Sequence, residues 1–77
     1  MVQRYSVEAA RELLERHLAA LGRSNEHIVT ERTTMRGGVE CFDFETPHHI
    51  YYISSATGEV HEVLERRHGR WHIIVPG

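Results

Sequence analysis

The chain contains no lysine; its nine basic residues are all arginines, scattered among eleven Asp and Glu for a formal charge of −2. Positive charge is nowhere gathered into a stripe that could track phosphates, so nucleic acid is excluded as an expected partner. Cysteine occurs once, at Cys41. An intramolecular disulfide is therefore impossible, and no Cys-x-x-Cys pair exists for zinc or redox work. Long apolar runs are missing as well. Nothing approaches the roughly 18 residues of a membrane-spanning helix, and the opening segment MVQRYSVEAARELLERHLAALG lacks the basic-then-apolar layout of a secretory leader. The expectation is a cytoplasmic chain without membrane contact, unless a leader has been removed.

What is present suits one small domain. Seventy-seven residues, 40% hydrophobic and 26% charged, have ordinary globular composition. A chain of this size buries about 60% of its unfolded surface, which leaves a thin margin of stability. Residues 1–77 are expected to form a single α+β domain.

Ser6 opens the clearest element. Its hydroxyl can accept from an unpaired amide of the first turn, Glu8 sits near the positive end of the helix dipole, and Gly22 offers a stop. The spacing predicts a helix from Val7 to about Leu21. Val7, Ala10, Leu13, Leu14, Leu18 and Leu21 form its apolar face, with Glu12 four residues before Arg16 on the polar one. After GRSNE the period changes from 3.6 to 2. HIVTERTTM and VECFDFE read as a hairpin about Gly37-Gly38, followed by a turn at ETPHH, the strand IYYIS, a turn at SATGE, VHEVLE, a turn at RRHGR, and WHIIV. The predicted architecture is one N-terminal helix packed on a four- or five-stranded antiparallel meander sheet.

Pairing the strands through these turns assigns their faces. One face collects Phe42, Phe44, Tyr51, Ile53, Val63 and Ile74; the other collects Val39, Cys41, Ile50, Tyr52, Leu64, Trp71, Ile73 and Val75. A sheet wetted on one side should alternate apolar and polar residues, and the C-terminal half does not. A helix about 10–12 Å across covers about half of a sheet roughly 20 Å wide. The rest calls for a curled sheet, a second copy or another protein. The expected partner-binding residues are Tyr52, Ile50, Leu64, Trp71 and Ile73, with a homodimer as one form of the contact.

Seven histidines are the unusual feature of the composition. The best metal constellation is His61 and His72 on one face with Glu65 opposite His72, two nitrogens and one carboxylate without a motif, so no metal site and no cofactor are expected. His48 and His49, adjacent near a turn, point to opposite sides, and the histidines in general read as solvated or interfacial. Cys41 reads as a small apolar core or interface thiol with no neighbouring base. Asp43 and Glu45 read as a solvated pair, and a chain this small has little room for a cavity above about 300 Å³. No catalysis is expected.

The segments SVEAARELLERHLAALG and YYISSATGEVHEV resemble the PepSY module, over about residues 6 to 65. They are also similar to the YrhB-type family of small bacterial proteins, many of them thought to be immunity proteins, which share a VEEAR…L…LG helix and a TGEVH turn. Where that family carries a glycine-proline segment before the turn, this chain has HHIYYIS. Both resemblances imply inhibition or regulation by protein contact. The expected function is thus a small bacterial or phage protein that binds and inhibits or regulates a protein partner through an apolar sheet face. Competing readings are a histidine-rich metal-binding or pH-sensing protein, and a small enzyme subunit whose site forms across a dimer interface.

Overall fold

Ser6 caps the helix as its side chain allows: the hydroxyl oxygen accepts from the Ala9 amide at 3.1 Å, and helix α1 runs Val7–Ala20. At the other end the Arg23 amide donates to the Leu18 carbonyl at 2.7 Å and the Gly22 amide to that of Ala19 at 3.1 Å, closing the two reciprocal bonds of a Schellman motif. The computed structural model describes residues 4–23 and 25–76. The remaining residues of the expected domain, including the first three of the segment weighed as a leader, lie outside the described residues. Leu21, expected on the apolar face, is exposed because the chain has already left the helix there. The ion pair within the helix joins Arg11 to Glu15 rather than Glu12 to Arg16, and Arg11 also pairs with Glu31 of the sheet.

Five strands follow: β1 Thr30–Arg36, β2 Val39–Glu45, β3 His49–Ser54, β4 Val60–Arg67 and β5 Arg70–Val75. They pair antiparallel in the order β1-β2-β3-β4-β5, so β1 and β5 are the edges. Gly37 and Gly38, both at positive φ, make the two-residue turn whose twist matches a hairpin. This is the predicted α+β meander.

Helix α1 lies over the face of Phe44, Tyr51, Ile53 and Val63, which form one core with Ala10, Leu14 and Leu18; Phe42, Val60 and Ile74 pack at its margin. Each fully buried large side chain there contributes about 1.5–3 kcal/mol. The opposite face could not take the helix without stripping water from charges, because Arg32, Arg36, Asp43 and Glu62 are interleaved with its apolar residues. Two bulges interrupt the ladders. One places His61 as an extra residue between Val60 and Glu62, and the other does the same with Ile74 between Ile73 and Val75.

Candidate contact surface

The open face carries a second, smaller cluster of Cys41, Ile50 and Tyr52, with Val39 and Leu64 packed against it. All five expected contact residues lie on this face, as the register requires, but their exposure is uneven. Tyr52 and Ile50 are only 7% and 8% exposed and Leu64 is half-buried, whereas Trp71 and Ile73 stand 38% and 56% exposed. Val75, expected on this face, is carried to the helix side instead, because the bulge at Ile74 sets it opposite Val63. Curling, a second copy and another protein were the expected shields of the centre. The structure uses a fourth: its own arginine stems.

Arg36 lies over the Tyr52 ring, its guanidinium carbon 4.7 Å from the ring centroid, and its Nε donates to Glu62 Oε1 at 3.0 Å. Arg32 Nε donates to Asp43 Oδ2 at 2.9 Å. Long basic side chains can cover apolar surface while keeping the charged end wet. Asp43, expected to be solvated, is buried beneath this cover, and its Oδ1 has no hydrogen-bond partner among the described residues. Burial, and then the charge of Asp43, push the Tyr52 phenol up from its ordinary value. Cys41 is fully buried; burial first and Glu62 second push its thiol up, and its sulfur donates to the Val39 carbonyl at 3.5 Å. The uncovered part of the face is therefore the β4–β5 side.

A polar cluster sits on the helix side, beyond the end of α1. His49, buried, places Nδ1 2.9 Å from Glu26 Oε1 and Nε2 3.3 Å from Glu65 Oε2. Glu26 Oε1 also accepts from the Thr46 hydroxyl at 2.7 Å, and Oε2 from the Tyr51 hydroxyl at 3.1 Å. Burial works to raise the Glu26 carboxyl, but the donors from Thr46, His49 and Tyr51 and the charge of His49 together hold it below the ordinary value. Tyr51 is pushed up to about 12, first by burial and then by the Glu26 charge, against the opposing effect of Arg23. Arg67, donating to Glu65, keeps that carboxyl low as well. The cluster pins the α1–β1 connection, which carries Glu26, to the middle of the sheet.

His49 is therefore a buried bridge and not a solvated or interfacial histidine, while His48 beside it is exposed. Its face was legible, since it stands two residues before Tyr51 on one strand. Nothing marked Glu26 in the loop as its partner. His72 is opposite Glu65 as expected, but the bulge sends His61 toward the β1–β2 turn, where its Nε2 is 3.9 Å from where a Cβ on Gly37 would lie. His61, His72 and Glu65 do not converge, and among the described residues no group of three or more His, Cys, Asp or Glu side chains is arranged to hold a metal ion.

One surface hollow exceeds the expected volume, about 540 Å³ beside Arg4, Tyr5 and Ala56, while another, about 250 Å³ between α1 and Glu26, stays below it. The larger is a depression where the start of α1 meets the β3–β4 turn, lined mainly by exposed residues. Among the described residues no helix is long and apolar enough to cross a membrane. Comparison with protein-family models, curated proteins and solved structures finds no match.

Proposed function

We propose that this chain is a small non-catalytic protein that binds and inhibits or regulates a protein partner through the β4–β5 side of its open sheet face, acting in the cytoplasm. The observation that carries the reading is the pair of Trp71 and Ile73, exposed together on the open face of β5, with Ile73 opposite Leu64. Contiguous apolar surface of this kind on a small protein marks contact sites, and tryptophan is enriched at their energetic centres. Inhibition or regulation by contact is also the role implied by the resemblance to PepSY modules and to YrhB-type immunity proteins. The partner would present an apolar ridge to Trp71 and Ile73 and an acidic group to Arg66, which stands opposite Trp71 on the same face.

Immobilised protein in a lysate of its source cells should retain a partner in comparable molar amount. Trp71→Ala and Leu64→Arg should lose it, and Thr33→Ala on the far edge should keep it, with circular dichroism verifying that each variant is folded. Equal retention by the first two variants overturns the reading.

A further inference from the structure

Beyond the bulge at His61, β4 pairs with β3 without interruption from Glu62 to Glu65, and Arg66 follows opposite Trp71. Alternation therefore sets Glu62, Leu64 and Arg66 in file on the open face, each about 7 Å from the next. Leu64 is the middle of an apolar row that crosses three strands, with Ile50 on one side and Ile73 on the other. An acid stands on one flank of this row and a base on the other.

Both flanking groups have bonding capacity to spare. Arg36 donates through two nitrogens to Oε1 of Glu62, and Oε2 has no partner among the described residues. That oxygen is not sealed in, since Asp43 Oδ1 is the one buried side-chain atom found without a partner there. Arg4, Arg11, Arg32, Arg36 and Arg67 each meet a carboxylate, whereas Arg66 is exposed and meets none among the described residues. A free donor and a free acceptor at equal spacing on either side of an apolar residue make a surface that is its own complement.

From this arrangement we infer that two copies of the chain pack their open faces together about a two-fold axis running across the strands at Leu64, with each Arg66 bonded to Glu62 of the second copy. Rotation about that axis reverses the strand direction, so it exchanges the positions two residues before and two residues after Leu64. Leu64 then meets Leu64, Ile73 meets Ile73, and two ion pairs close at the flanks. A two-fold axis along the strands would instead bring Arg66 level with Arg66, so charge selects the orientation. Facing sheets lie about 10 Å apart, a gap that apolar side chains fill and that an arginine and a glutamate together can span. Helix α1 packs on the other face and does not obstruct the contact. The contact centres on β4 and β5, where Trp71 and Ile73 are uncovered, and leaves the arginine cover over β1–β3 in place. Its area is at the small end of specific interfaces, so association should be weak and concentration-dependent. The inference rests on the preceding reading in taking this side of the face as the contact surface, and it makes a second copy and an outside partner competitors for it.

Sedimentation equilibrium of the purified protein between about 5 and 500 µM should show a monomer passing to a dimer. Arg66→Glu sets like charges against each other at both flanks and should raise the dissociation constant by about tenfold or more. Arg70→Glu makes the same change of charge one residue before Trp71, on the helix side of β5, and should leave the constant as it is. Leu64→Lys and Leu64→Glu should each weaken the dimer, and an equimolar mixture of the two should restore it, because residue 64 meets itself on the axis. Circular dichroism verifies that each variant is folded. A wild-type monomer throughout the range, an Arg66→Glu dimer as tight as wild type, an equal loss in Arg70→Glu, or a mixture that stays monomeric overturns the proposal. A monomer that still captures a partner through Trp71 leaves only the preceding reading standing, and a dimer that captures none leaves only this one.

Discussion

Replacing Glu26 by Gln removes one negative charge from the buried cluster and leaves the side chain its size. In the native protein that carboxylate receives the Thr46 hydroxyl, His49 Nδ1 and the Tyr51 hydroxyl. Hydrogen bonds to a charged group are worth about 1.5–3 kcal/mol each, and members of one network do not add. An amide keeps one acceptor and turns a donor toward a neighbour that also donates, so the expected loss is about 2–4 kcal/mol. Against a total of roughly 4–12 kcal/mol for a chain of this length, that is a large share. Urea unfolding followed by circular dichroism should show the midpoint falling by about 2 M at pH 7, with the slope unchanged.

The pH dependence tests the cause. Glu26 is held below 4.5 when folded and returns to its ordinary value when unfolded, so its contribution is fully present above 4.5 and is lost as pH falls through the folded value. The gap between wild type and Glu26→Gln should therefore be constant from neutral pH down to about 5 and shrink below it. A variant within 0.5 kcal/mol of wild type at pH 7, about the spread of an ordinary surface substitution, refutes the assignment of Glu26 as an anchor. A gap that persists unchanged under strong acid refutes its charge as the reason.

Arg36→Ala should strip the cover from Tyr52. The stacked guanidinium and its partly exposed ion pair with Glu62 together account for about 1 kcal/mol of stability, and the variant should bind the dye ANS more strongly than wild type; an unchanged dye signal would mean that the arginine does not shield the face. Gly58→Ala meets both a positive φ of 72° and an occupied space, with Leu13 Cδ1 at 2.8 Å and Tyr5 Cζ at 2.9 Å from the added carbon. Gly69→Ala, at a φ of 76° with no atom of the described residues within 4 Å, should lose only the backbone strain of about 1–2 kcal/mol. Chemical denaturation of both should place Gly58→Ala below Gly69→Ala, and Tyr5→Ala should narrow the difference; equal midpoints would leave the contact with α1 without weight.

Helix α1, the five strands and their turns were all legible because each rests on neighbours in sequence. Ser6 and Gly22 bound the helix through groups within one turn, and Gly37-Gly38 closes a hairpin through its own backbone angles. The two sets of face residues were legible for the same reason, since alternation along a strand and pairing across a tight turn leave little choice; Val75 is the exception, moved to the other side by the bulge at Ile74. Tyr51 and Tyr52, adjacent in the chain, duly belong to different clusters. The contact site was legible as a face but not in its detail. Tyr52 and Ile50 proved to be covered, and Trp71 and Ile73 proved to carry the exposure, because the flattening of Arg36 onto Tyr52 depends on three strands meeting side by side.

By itself, the sequence determined periodicity, caps and turns, and hence a helix and a meander with apolar residues on both sides. Only the tertiary structure decided which side the helix takes, which charges fold down over the other, and that Glu26 reaches His49 from a loop 23 residues away. The division has a physical cause. Local elements are selected by torsion preferences and hydrogen bonds that close within a few residues, whereas the choice of face and the partners of buried charges are settled by desolvation, which depends on what every distant segment brings to the same place.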